Sequence, residues 1–110
     1  MTTEAEKRLI RAQIKGLVPS IRLAMQRRID CSSKVGDALN ALRLKIIADE
    51  FSGDDRHFIL EATPEIEINQ YGRVCHNEAM RLVCQLAEMA DLSCDRFFTD
   101  VLEEGTEDDN

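Results

Sequence analysis

Apolar residues recur along this chain with helical spacing, and the stretches that keep the rhythm define its expected elements. Residues 3–16 put Ile10, Ile14 and Leu17 on one stripe and Arg8, Arg11 and Lys15 on another, an amphipathic first helix with a basic outer face. Gly16 followed by Val18-Pro19 predicts its end, because the residue before proline disfavours helical backbone and glycine suits a C-terminal cap. A short second helix then starts near Pro19 with Ile21, Met25 and Ile29 spaced by four, and Arg22, Arg27 and Arg28 mostly off that stripe. Residues 34–51 predict a third helix in which Val35, Leu39, Leu42 and Ile46 form the buried line and Ala38, Ala41 and Ile47 broaden it. Asp30, Ser32 and Ser33 are alternative caps for it, Gly53 its stop, and Asp54-Asp55 a cap for the next element.

Residues 54–72 read two ways. His57-Phe58-Ile59-Leu60 fits one helical turn, whereas Glu65-Ile66-Glu67-Ile68-Asn69 alternates at period two and fits a strand. A short helix with an extended connection is the favoured reading, and a small β-hairpin around residues 57–69 is the alternative. Tyr71-Gly72 marks the turn into a fourth helix carrying Ala79, Val83, Leu86 and Ala90 on one face. The expectation is an all-α fold, a bundle of four to five helices over residues 1–104, followed by a disordered acidic tail at 105–110.

Residues 86–102 read L-A-E-M-A-D-L-S-C-D-R-F-F-T-D-V-L. Ser93 can cap a new helix, Asp95 falls in its favourable first turn, and Leu92 can staple onto Phe97. This segment resembles the helix-turn-helix of bacterial transcription regulators, including the LacI and AraC classes. Ala87 matches the close approach of the two helices, Leu86, Leu92, Phe97 and Val101 the hydrophobic core, and Ser93 the cap. Asp91 stands where the pattern prefers glycine. A recognition helix here would carry Asp95, Asp100, Glu103 and Glu104 against Arg96 alone, a poor match for a polyanion, so the segment reads better as a hairpin closing a core. The run Leu86-Ala87-Glu88 with Leu92, Cys94 and Phe97 or Phe98 is also similar to a segment of the helical D subunit of the flagellar master activator. That resemblance implies work beside a second subunit.

Charge changes this picture more than composition does. Residues 1–47 hold ten basic and four acidic side chains, whereas 48–110 hold four basic and seventeen acidic, so oppositely charged halves make up the net of −7. Such asymmetry suits a basic face for an anionic partner, an acidic face for a basic one, or attraction between the halves. The basic candidates are Arg8, Arg11, Lys15, Arg22, Arg27 and Arg28.

With 44% hydrophobic and 32% charged residues in 110, the composition is that of a globular domain. No apolar run approaches a membrane span, and Met1-Thr2-Thr3-Glu4 lacks the layout of an export signal, so a cytoplasmic protein is expected. Cys31, Cys75, Cys84 and Cys94 should then stay reduced. None forms a C-x-x-C pair, so no metal or cofactor site is expected, and Cys84 reads as a small core residue.

His57 near Asp54 and Asp55 lacks an identifiable nucleophile, Cys75 and His76 are adjacent and point apart on a helix, and neither glycine turn is a phosphate loop. Enzyme chemistry is therefore not expected. Two functions by contact remain. One is a small bacterial or phage-type transcription regulator, or partner subunit of one, with another protein as partner, DNA reached through the basic half, and homodimerisation open. The other is an acidic inhibitor, such as an antitoxin, immunity protein or blocker of a nucleic-acid enzyme.

Overall fold

In the computed structural model, which describes residues 3–89, helix α1 runs unbroken over Glu4–Arg27 with Pro19 inside it. The expected break at Gly16 and Pro19 does not occur. Ile10, Ile14, Val18, Ile21 and Ala24 are all buried and stay in helical phase across the proline. Four large side chains taken out of water contribute about 6–12 kcal/mol, which outweighs the cost of about 4 kcal/mol for proline and glycine inside a helix. Continuity also corrects the expected stripes. Val18 is buried where Leu17 is only half-buried, and Met25 and Ile29 are exposed while Ala24 takes the inner position.

The helix starts at Thr3, whose hydroxyl accepts from the Glu6 amide at 3.1 Å, with Glu4 and Glu6 at the positive end. It stops in a left-handed cap at Arg28 (φ 56°, ψ 43°), with Arg28 N–H on the Met25 carbonyl and Ile29 N–H on that of Ala24. This is a Schellman motif with arginine where glycine is usual.

Strand β1 (Cys31–Ser32) leads directly into α2 (Ser33–Glu50), with Ser32 at the cap. Val35, Leu39, Leu42, Ile46 and Ile47 are buried as expected, whereas Ala38 and Ala41 lie towards the surface. Phe51 ends α2, and Gly53 (φ 58°) opens the next element instead of closing the last. Helix α3 (Gly53–Ala62) has Asp54 and Asp55 in its first turn and buries no residue. It contains the expected His57–Leu60 turn. An extended connection follows, so the alternative hairpin over 57–69 is not formed. Ile66 tucks inward and Ile68 outward, and the partner of Ile66 is a side chain: Asn40 donates to its carbonyl at 3.0 Å and accepts from its amide at 2.8 Å.

A two-stranded antiparallel sheet does exist, between β1 and β2 (Arg73–Val74), in the register Cys31 to Val74 and Ser32 to Arg73. Asn69 builds the turn before β2. Its side-chain oxygen accepts from the amides of Tyr71 and Arg73, and Gly72 supplies the positive φ. Helix α4 (His76–Met89) then lays Ala79, Leu82, Val83, Leu86 and Ala87 against both α1 and α2. Leu86 and Ala87 are thus core residues of α4. The remainder of the helix-turn-helix-like set, Leu92, Ser93, Phe97 and Val101, lies outside the described residues, as do Ala90 and the tail at 105–110.

Gly36 lets α2 approach the sheet: a Cβ there would lie 2.7 Å from a methyl of the fully buried Val74. Gly36→Ala should therefore lower stability by about 1–3 kcal/mol through overpacking, read as a fall in the urea midpoint with unchanged slope.

Candidate functional site

Continuity of α1 decides where its cations sit. At about 100° per residue, Arg8, Arg11, Lys15 and Arg22 fall within about 60° of one another, on a flank roughly a right angle from the buried line. Lys7 borders them. The flank runs about 21 Å from Arg8 to Arg22. Arg8, Arg11 and Lys15 are exposed and Arg22 is half-buried. Lys7, Arg11, Lys15 and Arg22 also take part in polar or electrostatic contacts within the fold. Arg27 projects from the opposite flank, so the six arginines and lysines singled out from sequence do not form one face. Arg28 occupies the left-handed cap, at a cost of about 1–2 kcal/mol relative to glycine.

Two further arginines have other roles. Arg43, buried within α2, donates through Nε to the Thr63 carbonyl and through Nη2 to that of Leu60 at 2.9 Å, closing the carboxyl end of α3. Arg56 acts in the opposite direction from α3, donating to the Phe51 and Ala48 carbonyls at the end of α2. Neither role shows in a count of charges, and only the helix ends they serve could have signalled it.

Acidic residues gather elsewhere. Asp54, Asp55 and Glu61 on α3, with Glu65 and Glu67 on the connection, are exposed on an element that packs on α2. Helix α2 itself mixes signs, with Lys34, Asp37 and Lys45 all exposed.

The histidines and cysteines are dispersed. His57 pairs with Glu61 at 3.3 Å on the open face of α3, not with Asp54 or Asp55. His76 holds the Ile29 carbonyl through Nδ1 at 2.8 Å. Among the described residues no three His, Cys, Asp or Glu side chains gather as a metal site, and no helix is long and apolar enough to cross a membrane. Cys31 is buried in β1, while Cys75 and Cys84 are half-buried. Burial, reinforced by the nearby Asp30 carboxylate and Cys75, pushes the Cys31 thiol above its ordinary value, with Arg73 opposing. Burial and then Glu88 push up Cys84.

No protein-family model, curated protein or solved structure matches the chain.

The raised thiols set a pH dependence. Both hold their protons more tightly folded than unfolded, so the stability they contribute is fully present below the ordinary thiol value of about 8.5. As pH rises through that value the unfolded chain ionises first, and stability falls by up to about 1.4 kcal/mol per pH unit for each thiol. Urea unfolding at rising pH should show this decline, and Cys31→Ala with Cys84→Ala should flatten it.

Proposed function

We propose that this chain is a regulatory protein that acts by contact, docking the cationic flank of α1 on nucleic-acid phosphates as a transcription regulator or the partner subunit of one. The observation that carries the reading is the alignment of Arg8, Arg11, Lys15 and Arg22 along one unbroken helix. Such a row offers four cations along about 21 Å to a polyanion whose binding rests on phosphate contacts. Phosphate contacts of this kind position a protein without reading sequence. The net charge of −7 opposes approach from any other side, which favours a second, DNA-reading subunit as the companion. In this reading the protein works in the cytoplasm and carries out no reaction of its own.

A second reading has its own observation. Helix α3 buries nothing and displays Asp54, Asp55 and Glu61, a surface suited to a basic protein target such as a nucleic-acid enzyme. The chain would then act as an acidic inhibitor, with its carboxylates speeding encounter.

Titration of duplex DNA at increasing salt separates the two. The first reading expects a slope of log affinity against log salt of about −4, from four phosphate contacts. Arg8→Gln with Arg11→Gln should reduce its magnitude by about 2 while circular dichroism stays unchanged. No binding even at low salt would overturn it in favour of the inhibitor. Arg28→Gly, outside the row, is expected to raise the melting temperature, by relief of about 1 kcal/mol, and to leave the salt slope of DNA binding unchanged.

A further inference from the structure

Helix α1 carries a second apolar line, separate from the one facing the core. Leu9 and Leu23 are 52% and 45% exposed, and each stands seven residues from Gly16. Residues seven apart lie within about 20° of one face, so Leu9, Gly16 and Leu23 share a line roughly 150° round from Ile14 and Ile21. Beside Gly16 the α1–α2 packing opens into an apolar groove of about 490 Å³, floored by Ala12, Gly16, Ala38 and Ala41 and walled by Leu17 and Leu42. A Cβ on Gly16 would meet nothing within 4 Å.

We propose that this face binds a second copy of the chain, the two α1 helices running antiparallel about a two-fold axis at Gly16, with Leu9 and Leu23 closing the contact on either side of the groove. Under that axis position 16−n faces position 16+n, so the arrangement can be checked residue by residue. Leu9 meets Leu23 of the other copy, Ala12 meets Ser20, and Gly16 meets itself, which permits close approach of the backbones. Towards each end Ala5 faces Arg27, which brings Glu6 on the neighbouring position beside that guanidinium. Each dimer thereby gains two opposite-charge pairs on the groove side. A parallel pairing would instead put Arg27 against Arg27. Apolar residues placed symmetrically about one glycine suit an isologous interface, in which the same patch serves both copies.

The flank of Arg8, Arg11, Lys15 and Arg22 lies about 110° from the Gly16 line, on the side away from the groove. The dimer therefore stands or falls independently of the phosphate-docking reading. The strip from Ala5 to Arg27 is about 33 Å long and one helix wide, at the small end of specific interfaces, so association in the micromolar range is expected.

Sedimentation equilibrium of the full chain from about micromolar to about millimolar concentration tests this. The mass should rise from monomer to dimer. Gly16→Glu should hold it at monomer without lowering the melting point, because the new side chain enters open space and glutamate favours helix over glycine. Glu6→Arg should weaken dimerisation at least tenfold, and adding Arg27→Glu should restore it. A monomer at every concentration overturns the proposal, as does a dimer that Gly16→Glu leaves intact. A monomer that Gly16→Glu destabilises also overturns it, and assigns the groove to residues 90–110 of the same chain.

Discussion

The structure depends on one line of contact, that of Ile10, Ile14, Val18 and Ile21 in α1 with Leu82, Val83 and Leu86 in α4 and the inner face of α2. Had α1 broken at Pro19, Ile21 and Ala24 would have left the helical phase that buries them, and no other described element is placed to replace them. Proline removes one hydrogen bond and glycine loosens one turn, both local effects of a few kcal/mol. The apolar line acts over about four turns and prevails. The cation row, the second apolar line and the site of the left-handed cap are all consequences of that continuity.

Outside the three core helices the chain is held mainly by side chains bonded to backbone. Asn40 takes both polar groups of Ile66, Asn69 gathers the turn before β2 and reaches Asp30, Arg73 holds the Asp30 carbonyl, and His76 holds that of Ile29. These bonds bring the exit of α1 and the entry to α4 together with little apolar area. Each such bond contributes only about 1 kcal/mol net, and only the Asn40–Ile66 pair among them is partly shielded from water. They therefore select one path for the connections more than they stabilise the whole.

The sequence made the inner faces of α2 and α4 legible, because Val35, Leu39, Leu42 and Ile46, and then Ala79, Val83 and Leu86, keep helical spacing without interruption. The helical class followed from the same rhythm. Pro19 and Gly16 misled because they are local signals judged without knowledge of what the helix would bury. The sheet was illegible: two residues carry no period, and the pairing of Cys31 with Val74 is set by how α2 meets α4. The alternation at Glu65–Asn69 did mark extended chain, but its hydrogen-bonding partner was Asn40, a side chain that no strand rule considers. For the candidate site, Arg8, Arg11 and Lys15 were visible as a stripe, while the alignment of Arg22 with them existed only once α1 was whole. Arg43 counted as one more surface cation in the sequence and proved to be buried.

Helix α3 stands apart in how it is attached. With no buried residue of its own, it is moored chiefly through the guanidinium groups of Arg43 and Arg56, one at each helix junction. Apolar burial strengthens on warming from the cold, whereas exposing polar groups changes the heat capacity in the opposite direction. Among the described helices α3 is thus the one expected to open at a lower free energy than the apolar core. Any load on its carboxylates reaches that core through two arginine side chains.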